Sequence, residues 1–486
     1  MELHQRLLLT GALLFAAAAG AGEAPAEFRE LGRLAAQGAR VSAALWDLST
    51  DQPLAQRDAD QRLTPASVSK IVIAAAALDT WAPDHSFATE LRAAAQPGAG
   101  VLDGDLVLRG SGDSTLDETT LWGLAAQLRG AGVTRVRGRV LVERAPFGEL
   151  GCDTVDRCTG MRRTSRAYNA APSAIGVNYG AWCIRARAPV GATQAIVGGC
   201  ATGQMPIPVT GTVQISSKGP ALRVDRSTDA SGDHISVSGS IAPGTEQTLH
   251  RSMSDPAAGA GLILRSILRQ TGVAVDGNVE TTVRASAEAT RQLLASVDGL
   301  PLQEQVGRMM RWSNNYIADV LTMGVALQRR GSAPVSLADA AGELTALMQA
   351  ANGPGAANGT PVMESGSGLT TSNRLSARDL VNVLRHEYRD TRHFPAFYGA
   401  FVVPQDASFA YLRNGSADWL QRVALKTGSV MEPVSVNAIA GYARRRDGGW
   451  MAFAIIVNGS DRLRQITHDT ALRAARTDLE ALLSRY

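Results

Sequence analysis

Apolar residues recur along this chain in two textures, and the texture changes twice. Residues 27–38 have the spacing of a short helix, and RVSAALWDLST (40–50) is an apolar, β-branched stretch running into a turn at Asp51-Gln52-Pro53, which predicts a strand and hairpin. SKIVIAAAALDTW (69–81) is apolar and alanine-rich, long enough for a buried helix. From 86 to 285 the pattern shortens. GVLDGDLVLRGSGDSTL predicts hairpin strands, LWGLAAQLRGAG a helix and VTRVRGRVLVER (133–144) one strand; GTVQIS and HISVSGSI are short strands set among Gly, Ser and Asp. Near 286 helical spacing returns: EQVGRMMRWSNNYIADVLTMGVALQRRG (304–331) has apolar positions three and four apart. WLQRVALKTGSV (419–430) predicts a strand, VNAIAGYARRRDGGWMAFAIIVNG (436–459) a hairpin turning at Asp447-Gly448-Gly449, and 466–485 a final helix. No repeat of solenoid period is present. Mixed helix-and-sheet texture at both ends (22–85 and 286–486) therefore brackets a β-rich insertion at 86–285, with room for two small domains.

The extreme N-terminus has a separate pattern. One arginine in MELHQR, the apolar run LLLTGALLFAAAAG and the small residues Ala19-Gly20-Ala21 predict a cleaved secretory signal over 1–21, too short to span a bilayer. The expected location is the periplasm, with no integral membrane span. In an oxidising compartment the four cysteines become disulfide candidates, and pairing Cys152 with Cys158 and Cys183 with Cys200 closes the shortest loops; the other two pairings stay open. A net charge of +3, no basic run and 5% aromatic residues give no nucleic-acid footprint. The seven histidines are scattered, His386 and His393 in HEYRDTRH read as surface residues, and no metal or cofactor is expected.

Charge usage points to chemistry. Of 48 basic residues only three are lysines: Lys70, Lys218 and Lys426. Arginine is effectively never deprotonated, whereas a desolvated lysine can give up its proton. Lys218, in SSKGP, reads as a surface turn charge. The other two lie in short motifs that recur in order: Ser67-x-x-Lys70 at a helix start, Ser313-Asn314-Asn315, and Lys426-Thr427-Gly428 on a strand near the C-terminus. A serine hydroxyl is a poor nucleophile until a neighbour takes its proton, and a lysine one helical turn away can do that when neutral. On this reading Ser67 is the nucleophile and Lys70 its base. Lys426 supplies the second positive charge, Ser313 relays a proton to the leaving group, and the Asn315 amide orients a substrate peptide bond. The strand carrying Thr427, Gly428 and Ser429 offers an edge to an extended peptide, with the Ser67 and Ser429 N–H groups as oxyanion donors.

With these motifs placed, the chain resembles the class C low-molecular-mass penicillin-binding proteins, the S13 family of D-alanyl-D-alanine carboxypeptidase/endopeptidases. LDGDLVLRGSGDSTL (102–116), APSAIGVNYGAWC (171–183), SGSGLTTSN (365–373) and the long interval between Lys70 and Ser313 carry the likeness. The resemblance implies an α/β (α+β) penicillin-binding domain, built on a five-stranded antiparallel sheet flanked by helices and interrupted by mostly-β insertions. It implies an acyl-enzyme on Ser67, peptidoglycan stem peptides as substrate and β-lactam antibiotics as covalent inhibitors. Some members carry an acidic residue where this chain has Asn178 and an arginine where it has Thr371; both positions are implied to read the third residue of the stem peptide. Two other functions compete: a β-lactamase, for which Glu364 is the candidate deacylating base, and a non-catalytic β-lactam sensor or wall-binding protein, which has no use for a deprotonatable lysine.

Overall fold

The computed structural model describes residues 28–150, 158, 164–200, 203–353 and 360–486, so the expected signal segment and Cys152 lie outside the described residues. The N-terminal segment enters as α1 (Arg29–Gln37), β1 (Arg40–Asp47) and β2 (Gln52–Arg57), then forms a 3₁₀ turn at Ala66–Ser69 that runs directly into α2 (Lys70–Thr80). After the insertion come α3 (Leu302–Trp312), α4 (Asn315–Arg330), α5 (Leu337–Asn352), α6 (Ala377–Arg389), the hairpin-linked strands β3 (Val423–Val430), β4 (Val436–Arg444) and β5 (Trp450–Asn458), and α7 (His468–Leu483). The five strands form one antiparallel sheet in the order β3-β4-β5-β1-β2, so β1 near the N-terminus pairs along its whole length with β5 near the C-terminus.

Alternation along the strands sorts side chains between two cores. On one face Ala44, Ala424, Ala438, Ala440, Ala452 and Ala454 meet α2 and α6; on the other, Met451, Phe453, Ile455 and Val457 pack with Phe28, Leu31, Leu472 and Leu479 of the terminal segments. The alanine face lets helices approach closely. Every residue of α2 from Lys70 to Leu78 is buried, as a helix apolar on all sides must be.

The insertion is built on a second five-stranded sheet, mixed, in the order Val279–Thr282, Val140–Glu143, Leu106–Gly110, Ala88–Ala93 and Gln292–Asp298. Its last strand lies beyond residue 285, because Gln292–Asp298 pairs with Ala88–Ala93 rather than with the first sheet. Helices Glu118–Gly130 and Pro256–Gln270 and several smaller sheets share one apolar core with it. Cys183 and Cys200 form a disulfide here, at a Cα–Cα distance of 5.6 Å. The insertion docks on α4: Phe147, Ala170 and Ala174 pack against Tyr316, Val320 and Met323, and the Tyr316 hydroxyl donates to the Ser173 carbonyl at 3.3 Å.

Three expectations need correction. The predicted strand at 133–144 is two short ones, Arg135–Val136 and Val140–Glu143, because Gly138 passes directly against the Gly104 backbone. The start of the predicted strand at 419–430 is instead a helical turn, Ala417–Arg422, capped by Ser416 and anchored by the fully buried Trp419. His393, expected on the surface, is only 5% exposed.

Candidate active site

The apolar pattern of 304–331 suggests continuous helix, but the structure breaks it at one residue. Ser313 takes a left-handed conformation (φ 55°), α3 ends there, and α4 restarts at Asn315 with the Asn314 side chain capping Ile317 N–H at 3.1 Å. The break presents Ser313 and Asn315 toward two different lysines. Lys70 Nζ lies 3.0 Å from Ser67 Oγ, 2.7 Å from Asn315 Oδ1 and 2.5 Å from the Ser367 carbonyl. Lys426 Nζ lies 2.9 Å from Ser313 Oγ and 2.5 Å from the Thr427 carbonyl. Lys70 is 0% and Lys426 2% exposed, while Lys218 is on the surface. Burial alone pushes the Lys426 amine down to about 7.

Ser67 has no capping bond to make: neither the 3₁₀ turn nor α2 has a side-chain N-cap. Its turn is held from two sides by glycines. A Cβ on Gly428 would stand 2.8 Å from Ser67 N and 2.9 Å from Val68 N, so β3 reaches the serine only because residue 428 has no side chain. Beneath, Gly368 (φ +70°) sits where a Cβ would be 2.1 Å from the Ala66 carbonyl, and Ala66 is itself left-handed at φ 48°.

β3 is the edge strand of its sheet. Leu425 exchanges its N–H and C=O with Val402 across that edge, at 2.9 and 3.0 Å. Two-residue alternation then turns the N–H and C=O groups of Thr427 and Ser429 to the same open side. Next to Ser313 and Lys426 opens a cavity of about 450 Å³ whose lining includes Trp312, Tyr398, Phe401, Phe409 and Thr427.

The family model for the D-Ala-D-Ala carboxypeptidase 3 (S13) family matches residues 30–479. The chain belongs to this family. The D-alanyl-D-alanine carboxypeptidase of Actinomadura sp. (strain R39) is 28% identical over 439 residues, 87% of this chain and 79% of that protein. D-alanyl-D-alanine carboxypeptidase DacB of Haemophilus influenzae is 25% identical over 431 residues, 87% of this chain and 86% of that protein. The crystal structure of penicillin binding protein 4 (dacB) from Haemophilus influenzae shares the fold, with a TM-score of 0.74 at 21% identity over 93% of this chain and 99% of that one.

Within this S13 chain the structure thus brings together Ser67, Lys70, Ser313, Asn315, Lys426, Thr427 and Gly428, with Ser429 exposed at the end of the same strand. Asn178, left-handed at φ 54°, donates from Nδ2 to Glu118 Oε1 at 2.8 Å, so a carboxylate from another helix stands beside the neutral amide. The Thr371 carbonyl accepts from Thr64 Oγ1 at 3.1 Å and from Arg374. Sequence reasoning missed Ser367 and its support. Its carbonyl accepts from Lys70, its N–H donates to the buried Asp319 at 3.1 Å, and Asn373 braces the loop through Ser365 and Glu364. The Gly-rich run SGSG ending near an asparagine was the available signal. It also missed Tyr168, whose carbonyl, from the insertion, accepts from Asn315 Nδ2 at 3.0 Å.

Proposed function

We propose that this chain is a serine DD-peptidase that acts outside the cytoplasm on the D-Ala-D-Ala ends of peptidoglycan stem peptides, through an acyl-enzyme on Ser67, and that β-lactams acylate the same serine. Family membership supports the reaction class, and the partners of Lys70 support the mechanism. They include the Asn315 amide oxygen and the Ser367 carbonyl, which only accept, and the Ser67 hydroxyl, which can accept from the amine or donate to it. When neutral, the Lys70 amine carries a lone pair that can take the hydroxyl proton from the Ser67 Oγ 3.0 Å away. Lys70 then takes the Ser67 proton as Oγ attacks the scissile carbonyl. The developing oxyanion meets the N–H groups of Ser67 and Ser429. Ser313 gives its hydroxyl proton to the departing amine and takes one back from the Lys426 ammonium, 2.9 Å from its Oγ. Asn315 positions Lys70 and keeps one N–H for the substrate. No described helix is long and apolar enough to cross a membrane. We assign residues 28–85 and 299–486 to the catalytic unit and the strands between to the insertion.

Among the described residues Glu364 meets this cluster only through its backbone N–H, which donates to Asn373 at 2.8 Å; its carboxylate makes no hydrogen bond or ion pair there. The reading therefore favours slow deacylation over β-lactamase turnover. Mass spectrometry after incubation with penicillin should find a lasting adduct on the peptide containing TPASVSK, absent in Ser67→Ala. An adduct that survives in Ser67→Ala sinks the assignment.

The cavity favours a second activity, cleavage of cross-links. Its lining includes Ser313, the residue read here as proton donor to the leaving group, and about 450 Å³ is far more than one D-alanine fills. Peptides with one acyl half and either D-alanine or a peptide-bearing amine as leaving group separate the two. Comparable kcat/KM values support cross-link cleavage, and turnover confined to D-alanine release refutes it.

A further inference from the structure

Far from Ser67, the C-terminal end of α2 carries an arrangement that the serine chemistry does not use. Glu387, on α6, is fully buried and neither of its carboxylate oxygens has a hydrogen-bond partner. Beyond it His393, 5% exposed, has an Nδ1 that is buried and also without a hydrogen-bond partner. That nitrogen faces Asp79 Oδ1 and Asp390 Oδ2, each at 3.4 Å. On the other side of Asp79, His386 Nε2 stands 4.0 Å from Oδ2.

These spacings are long for N–H···O bonds, which centre near 2.9–3.0 Å. Two ligands about 2.0–2.1 Å from a tetrahedral ion stand ~3.3 Å apart, close to the separation of His393 Nδ1 from each of the two carboxylates. One ligand atom from each of Asp79, Asp390 and His393 lies within 4.8 Å of the others. We propose that Asp79, Asp390 and His393 hold a divalent transition-metal ion of the zinc class, with a fourth position facing solvent within reach of the half-exposed His386. An imidazole with two carboxylates suits zinc, whereas calcium and magnesium favour all-oxygen sets. Arg392 now grips both Asp390 oxygens, Nη2 to Oδ2 at 2.7 Å and Nε to Oδ1 at 3.2 Å, so the ion must compete with this 76% exposed guanidinium for Oδ2, while the Arg392 backbone N–H keeps Oδ1. The ion would offset the clustered negative charge of Asp79 and Asp390 beside Glu387. It would also tie the end of α2, whose start carries Ser67 and Lys70, to α6 and to the helix Phe394–Gly399.

The test uses the untagged full chain, stripped with EDTA and titrated with Zn²⁺ by calorimetry and with Co²⁺ by visible absorption. One Zn²⁺ per chain, the d–d bands of tetrahedral Co²⁺ and a Zn²⁺-dependent rise in Tm are expected. His393→Gln and Asp79→Asn should each weaken Zn²⁺ binding ~10–100-fold while still labelling with fluorescent penicillin, which reports an intact fold. If either fails to label, Asp390→Asn, on a surface turn, is read in the same way. Absence of stoichiometric binding by the parent chain, or unchanged affinity in the variants that label, overturns the proposal.

Discussion

Lys70 and Lys426 are chemically the same residue asked to do two different things. The sequence reading makes Lys426 the fixed cation that keeps Lys70 neutral. Burial, however, brings the Lys426 amine to about 7, so near neutral pH its own charge is only partly held. The consequence for stability has a definite sign. Between about 7 and the ordinary 10.5 the unfolded chain holds a proton that the folded chain has released, so stability rises with pH across that window. Below pH 7 both states are protonated and the cost of burying the charge is fully felt. Lys426→Met should therefore stabilise the protein most below pH 7, by about 5 kcal/mol at most, and flatten the rise toward pH 10. Denaturant midpoints at pH 6 and pH 9.5 for both proteins check this; a parallel shift at the two pH values would contradict it. Lys70→Arg keeps charge and removes the base, so penicillin acylation should fall by ~10²–10⁴. Lys426→Arg should cost less, and equal losses in the two would remove the proton-transfer role from Lys70.

At the scale of elements, the site is a meeting of ends: the start of α2, the break between α3 and α4, the loop 365–368 and the edge strand β3. Its precision rests on close backbone approaches more than on side-chain packing. Gly428→Ala tests this, because the new Cβ would meet backbone atoms of Pro65, Ser67 and Val68 at 2.8–3.0 Å, none of which can swing away as a side chain can. β3 or the serine turn must shift by a fraction of an ångström. Acylation should drop ~10²-fold, the usual cost of such misplacement, with the fold retained. Stopped-flow acylation beside a circular-dichroism melt measures both, and full activity in Gly428→Ala would show that the edge has slack.

For the whole molecule, the two halves of the catalytic unit are joined by β1 pairing with β5, while the insertion bears on the site through Tyr168 and the packing of 166–180 on α4. The Cys183–Cys200 disulfide lies within the insertion, across a separation of 17 residues. By loop-closure entropy it contributes about 3 kcal/mol, felt by the insertion's own sheets and not by the serine site. Cys183→Ser should lower the unfolding midpoint accordingly and leave the acylation rate unchanged. A parallel loss of acylation would mean that the insertion's stability and the site's geometry are coupled through Tyr168.

Local signals were enough for the chemistry: scarce lysines, each one turn or two residues from a serine or glycine, and a glycine-rich SGSG run are visible without coordinates. The five strands and buried α2 were likewise legible, since alternation and an all-round apolar helix are properties of a short window. What the sequence could not decide was anything made by chain reversal or distance. The break at Ser313 has no proline or glycine to announce it, because a serine holds the left-handed conformation there within its packed surroundings. Ser367 acts through its carbonyl, which every residue has. His386 and His393 both read as surface residues in the sequence, and only tertiary packing of the end of α2 against α6 separates them, burying His393 with Glu387 while Asp79 and His386 stay exposed. Which polar atoms lose water, and which charges must then share one space, is settled only when distant segments exclude solvent together.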